Sequence, residues 1–149
     1  MYRPQVFVRW HFALLLVALC FVQQPAALAA SASADARFDA LSKRFVEEFG
    51  RYSPVSATQL GDHRFDGELE DLSASGRART LAWTKGVLDE LQAIDRSGPS
   101  RANQAVFDRA VEEVTDSIWS EEKYRDWSWD PLVYTQLAGQ SLYGLLARE

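Results

Sequence analysis

The run Asp62-His63-Arg64-Phe65-Asp66 is the one stretch of this chain whose residue types and spacing suggest chemistry. A histidine set between carboxylates can bind a divalent metal, or act as a base held in place by Asp66. Zinc, however, takes three or four ligands, commonly with two histidines four residues apart on a helix. Only His11 accompanies His63 in the whole sequence. The segment therefore reads first as a polar loop in which His63 or Arg64 pairs with an aspartate or caps a neighbouring helix. Glu68, Glu70 and Asp71 extend it into an acidic run that could attract calcium, but EF-hand spacing is missing and a solvated loop is the better reading. Glu112, Glu113, Asp116, Glu121 and Glu122 read as helix-surface charge rather than a paired-carboxylate active site. No serine sits in a nucleophile-elbow pattern, and Ser53, Ser73 and Ser100 read as helix N-caps.

A second group could bind without catalysing. Trp119, Tyr124, Trp127, Trp129 and Tyr134 cluster in sequence beside carboxylates, a composition suited to stacking on a sugar or gripping a peptide. The same residue types also wedge helices apart while their N–H and O–H groups bond backbone, and that structural role is the favoured one. No catalytic or metal-binding residue is assigned.

What must position these groups begins after an address segment. Arg3 and Arg9 are followed by the apolar run Phe12–Val22, with no acidic residue before Asp35. Eleven apolar residues suit a signal peptide, whereas a spanning helix needs about 20. Ala27-Leu28-Ala29 supplies the cleavage pattern, with Ala30-Ser31-Ala32 and Ala32-Ser33-Ala34 as fallbacks. The expected division is a signal peptide over residues 1–29 and a helical part over residues 30–149, exported to the periplasm or beyond, with no stable membrane span after cleavage. Leu19 before Cys20 argues against a lipid-anchored cysteine, and the exported part then has no disulfide framework. Loss of Arg3 and Arg9 moves the net charge from −5 to −7. Without a basic cluster, such a chain is not expected to bind nucleic acid.

Helical periodicity dominates the rest. Phe38, Leu41, Phe45, Phe49 and Tyr52 form one apolar stripe; Ser53-Pro54 opens a short helix that Gly61 ends. Residues 62–72 form a loop anchored by Phe65, Leu69 and Leu72. A helix from Ser73 to about Ile94 carries Ala78, Leu81, Leu88 and Leu91, with Trp83, Val87 and Ile94 beside them. After a break at residues 95–100, Phe107, Val111, Val114 and Ile118 mark the next helix. Trp119 to Asp130 is an aromatic, charged connector, and Pro131 starts a last helix bearing Leu132, Tyr134, Leu137, Leu142, Leu145 and Leu146. The fold class is all-α, built of antiparallel helices. Leucines in the last turn, with no Gly or Pro stop, suggest that the helical fold continues beyond Glu149.

Several of these stretches, taken in order, resemble the bacterial DUF885 family: Tyr52-Ser53-Pro54-Val55-Ser56-Ala57-Thr58-Gln59-Leu60-Gly61, the Asp62–Asp66 run, Leu69 with Asp71-Leu72-Ser73, Leu91-Gln92-Ala93-Ile94-Asp95, and Trp129-Asp130-Pro131-Leu132-Val133-Tyr134. Gly98-Pro99-Ser100 departs from the pattern, where the family tends to begin a leucine-containing helix. The resemblance implies an exported, mostly helical, gluzincin-like zinc metallopeptidase whose H-E-x-x-H helix lies far toward the C-terminus. Nothing here matches that helix, so zinc and a peptide-like substrate are expected only for a full-length family protein. This chain would then be an N-terminal structural segment walling the substrate channel, inactive alone, and inclined to self-associate through exposed apolar helix faces. The alternative is a small exported helical binding module that uses the Trp119–Tyr134 aromatics for a peptide or glycan.

Overall fold

A computed structural model describes residues 24–146, with side chains described from residue 33. Arg3, Arg9, the apolar run Phe12–Val22, Cys20 and the terminal Ala147-Arg148-Glu149 lie outside the described residues, as do the side chains of Ala27-Leu28-Ala29. Five α-helices follow one another: α1 (Gln24–Phe49), α2 (Pro54–Gln59), α3 (Ala74–Gln92), α4 (Arg101–Trp119) and α5 (Leu132–Leu146). Among the described residues there is no strand, so the fold is all-α. None of the described helices is long and apolar enough to cross a membrane.

The core is the meeting of three helices. Ala34, Phe38 and Leu41 of α1 face Val87 and Leu91 of α3, Ile94 just beyond it, and Phe107 of α4. Phe38 and Phe107 meet edge to face, ring centroids 5.5 Å apart, an arrangement in which one ring's positive edge addresses the other's negative face. Phe45, Trp83, Ala110, Val111 and Val114 pack around this centre. On α3 the buried line is Gly76, Thr84, Val87 and Leu91, whereas Ala78 is exposed. The Thr84 hydroxyl is satisfied by the Thr80 carbonyl at 2.9 Å, which lets a polar residue sit on the buried face.

α1 stops at Phe49, so Tyr52 belongs to the turn after the helix rather than to its stripe. It still packs inward, stacked on Trp83 at 4.4 Å. Gly50 is buried with no room beside it, because a Cβ there would collide with the Phe65 ring. Gly61 follows α2 with φ +96°, the left-handed backbone that the sequence reading gave it. Leu69 is a correction: it is 61% exposed and anchors nothing. Its exposed neighbours Gly67 and Glu68 lie in water with it.

Three serines occupy N-cap positions, but one caps with its side chain. Ser73 Oγ accepts from the Gly76 N–H at 3.0 Å, as expected of a cap. Ser53 and Ser100 make no such bond. Ser100 instead donates its backbone N–H to the Asp35 carboxylate at 2.9 Å, tying the start of α4 to α1. That bond, then the Ser100 hydroxyl, holds the Asp35 carboxyl below its usual range. A carboxyl depressed on folding contributes stability that is full above its unfolded value of about 3.9 and lost as pH falls through the folded value. Asp35→Ala should therefore lower the urea midpoint at pH 7, with the gap to wild type closing as pH falls below the ordinary carboxylate value of about 3.9. A gap that stays constant as pH falls would assign Asp35 a packing role instead.

Candidate functional site

The Asp62–Asp66 run folds as a short 3-10 turn, His63–Phe65, whose polar groups are turned on one another. Arg64 donates to both oxygens of Asp62, at 2.8 and 2.6 Å. His63 Nδ1 meets Asp66 Oδ2 at 2.9 Å, and the other Asp66 oxygen accepts from the buried Thr58 hydroxyl at 2.6 Å. The first effect on Asp62 is its bond from the Arg64 side chain, which holds that carboxyl below its usual range. Asp66 thus ties the loop to α2, and the histidine and arginine are its latches. No group of three or more His, Cys, Asp or Glu side chains among the described residues is placed to hold a metal ion.

The five aromatic residues separate into two environments. α4 runs into a π-turn, Ser120–Tyr124, and Arg125 then takes a left-handed backbone with φ 51°, a conformation uncommon outside glycine. This reversal starts the 3-10 turn Asp126–Ser128 and sends the chain back toward α3. Trp119, Tyr124 and Trp129 lie outward: Trp119 stacks on Tyr124 at 5.8 Å, and Trp129 meets Tyr124 edge-on at 5.3 Å. All three are about half exposed. Trp129 Nε1 donates to the Tyr124 carbonyl at 3.1 Å, and the Tyr134 hydroxyl donates to the Trp127 carbonyl at 2.8 Å.

Trp127 lies inward, half-buried, where Arg77 of α3 reaches it. The Arg77 guanidinium sits 3.8 Å from the centre of the Trp127 ring, donates to the Leu72 carbonyl, and faces Glu121 at 3.5 Å. Burial pushes the Glu121 carboxyl above its usual range, against the pull of Arg77. Here the cation–π contact, a carbonyl and a carboxyl converge on one guanidinium. The residues form one wall of a cleft of about 350 Å³ between the α3 start, the α4 end and the connector. Trp127 and a further lining residue, Glu70, each carry a buried polar atom without a hydrogen-bond partner, Trp127 Nε1 and Glu70 Oε2.

Sequence reading singled out Trp127 but not the cleft. Arg77 is far from it along the chain and marked by neither type nor spacing, and Glu70 was read only as part of the acidic run. The one available signal was Ser73, whose capping role fixes where α3 begins and so places Arg77 in its first turns.

The site thus defines a small all-α assembly with an acidic, Arg-centred cleft and an exposed aromatic cluster. Compared with family models, curated proteins and solved structures, the chain finds no match.

Proposed function

We propose that this chain is the N-terminal helical wall of the substrate channel in an exported, DUF885-like metallopeptidase, contributing no catalytic group of its own. The observation that carries this reading is α5. None of its residues is buried, and Leu132, Leu142, Tyr143, Leu145 and Leu146 are all exposed on a 15-residue helix. An exposed apolar face of this kind marks a surface that something else covers. In a channel enzyme the covering surface is the rest of the helical shell. The order of the motifs from Tyr52 to Tyr134 supports the same reading. Zinc and the peptide bond cleaved belong, on this proposal, to the remainder of the protein.

The test is the mass of the native exported protein, detected with an antibody against residues 53–73. A species several times heavier than 16.8 kDa is expected. A species of the mature chain's own mass would overturn the channel-wall reading. It would favour the second, that of a small binding module, which the outward Trp119–Tyr124–Trp129 cluster supports.

A further inference from the structure

We propose that α5 is a hinged arm, docked on α2 in this structure, which swings from the body as one piece about Arg125. Three observations meet at this place in the fold: a strained junction, a helix that buries nothing, and a seam that does not close. Arg125 is the one non-glycine residue with positive φ among the described residues, at φ 51° and ψ 45°. A residue with a Cβ is disfavoured in that left-handed region, and such strain persists only where surrounding contacts hold it. Arg125 lies between the π-turn Ser120–Tyr124 and the 3-10 turn Asp126–Ser128, so no α-helical ladder crosses it. Three local contacts hold it. Its N–H donates to the Ser120 carbonyl at 2.8 Å, and the Trp129 indole N–H donates to the Tyr124 carbonyl at 3.1 Å. The Trp127 ring lies 3.8 Å from the Arg77 guanidinium on α3.

Beyond the junction the chain is tied to itself. The Tyr134 hydroxyl donates to the Trp127 carbonyl at 2.8 Å, the Leu132 N–H to the Asp130 carboxylate at 2.9 Å, and the Asp130 N–H to the Asp126 carbonyl at 2.8 Å. These bonds make residues 126–146 one unit. No residue of α5 is buried, and its principal contacts are with α2 and the 3-10 turn. The seam with α2 is incomplete. A cleft of about 220 Å³ runs between Val55 and Thr58 of α2, Leu69, and Leu142 and Leu145 of α5. Packed interiors leave few voids, and side chains facing a gap lose the dispersion contacts that hold two helices together. Swinging out thus relaxes Arg125 and gives up a poorly packed seam, while the core of α1, α3 and α4 stays whole. Undocking opens the apolar cleft to solvent. The inference needs neither reading of the whole chain, because a movable helix serves a channel wall or a binding module alike.

The experiment is a pulsed electron–electron distance measurement on the full chain, with Cys20→Ser removing its one native cysteine. Spin labels go on cysteines at the exposed positions Ala138 of α5 and Asp89 of α3, with Asp89 and Asp116 of α4 as a pair inside the body. The α5 pair should show a main distance and a second one, the second in on the order of a tenth of the molecules. The body pair should show one distance. Arg125→Gly and Arg125→Ala then isolate the backbone. Both remove the guanidinium that lies 4.8 Å from the Trp127 ring, but only glycine accepts the left-handed conformation without cost. The ratio of swung to docked arm should be about ten-fold higher in the alanine variant, with equal helical signal by circular dichroism. A single α5 distance in the wild type overturns the arm without any variant having to fold. Equal ratios in the two variants overturn Arg125 as its hinge. A second distance that grows as helical signal falls also overturns the proposal, because α5 is then melting rather than swinging.

Discussion

Replacing Phe107 by alanine is expected to cost the fold about 3–5 kcal/mol, the usual range for deleting a buried aromatic ring. Phe107 is 2% exposed and is the only buried residue of α4. Its ring meets Phe38 of α1 and lies in the same cluster as Val87, Leu91 and Ile94. Deleting it opens a void where three helices join, and none of the three can close it without leaving the others. A small domain holds only about 5–15 kcal/mol in total, so the loss removes about a fifth of the stability or more. Phe107→Leu, which refills most of the volume, should cost about 1 kcal/mol. Urea unfolding followed by far-UV circular dichroism separates the two. A loss below about 1 kcal/mol for the alanine variant would mean that α4 is held by its surface contacts and that the three-helix core is not the source of cooperativity.

The all-α class and most helix boundaries are legible in the sequence because they rest on local rules. The Phe38–Leu41 spacing, the Ser73 cap and the Gly61 stop each act within a few residues of themselves. Tyr52 shows the limit: its spacing continues the α1 stripe, yet the helix has ended, and a stacking partner on α3 brings the ring inward all the same. Periodicity reports which face a residue shares, not whether the backbone reaches it as helix. Leu69 fails for a related reason, since one leucine among carboxylates has no periodic partner to say which side it faces. The loop latch was half legible: pairing of His63 and Arg64 with aspartate follows from proximity, whereas the Thr58 hydroxyl that fixes Asp66 follows only from folding. The cleft was not legible. Arg77 meets Trp127 across fifty residues, and what brings them together is a left-handed Arg125 that no residue preference announces.

Trp83→Ala should be the other severe substitution, at about 3 kcal/mol or more, although the residue is not fully buried. Trp83 joins α3 to both ends of the first turn: its ring stacks on Phe45 at 5.1 Å and on Tyr52 at 4.4 Å. Its Nε1 donates to Glu48 Oε2 at 2.8 Å. Stacked aromatic pairs are worth about 0.5–1.5 kcal/mol each beyond their buried area, and a hydrogen bond to a charged acceptor adds about 1.5–3 kcal/mol. These contributions can be taken apart. Trp83→Phe keeps a ring between Phe45 and Tyr52 but loses the N–H, so it should cost about half of the alanine variant's loss. In a double-mutant cycle with Glu48→Ala, the coupling should be about 1 kcal/mol or more. Near-zero coupling would mean that Glu48 is solvated and that the stack alone carries the contact. The consequence reaches the cleft, because Trp83 fixes how α3 lies against α1 and Arg77 rides two turns earlier on that same helix. If the stack sets the position of α3, Trp83→Phe should leave the Trp127 indole resonance in place. Trp83→Ala, examined in its remaining folded fraction, should move it.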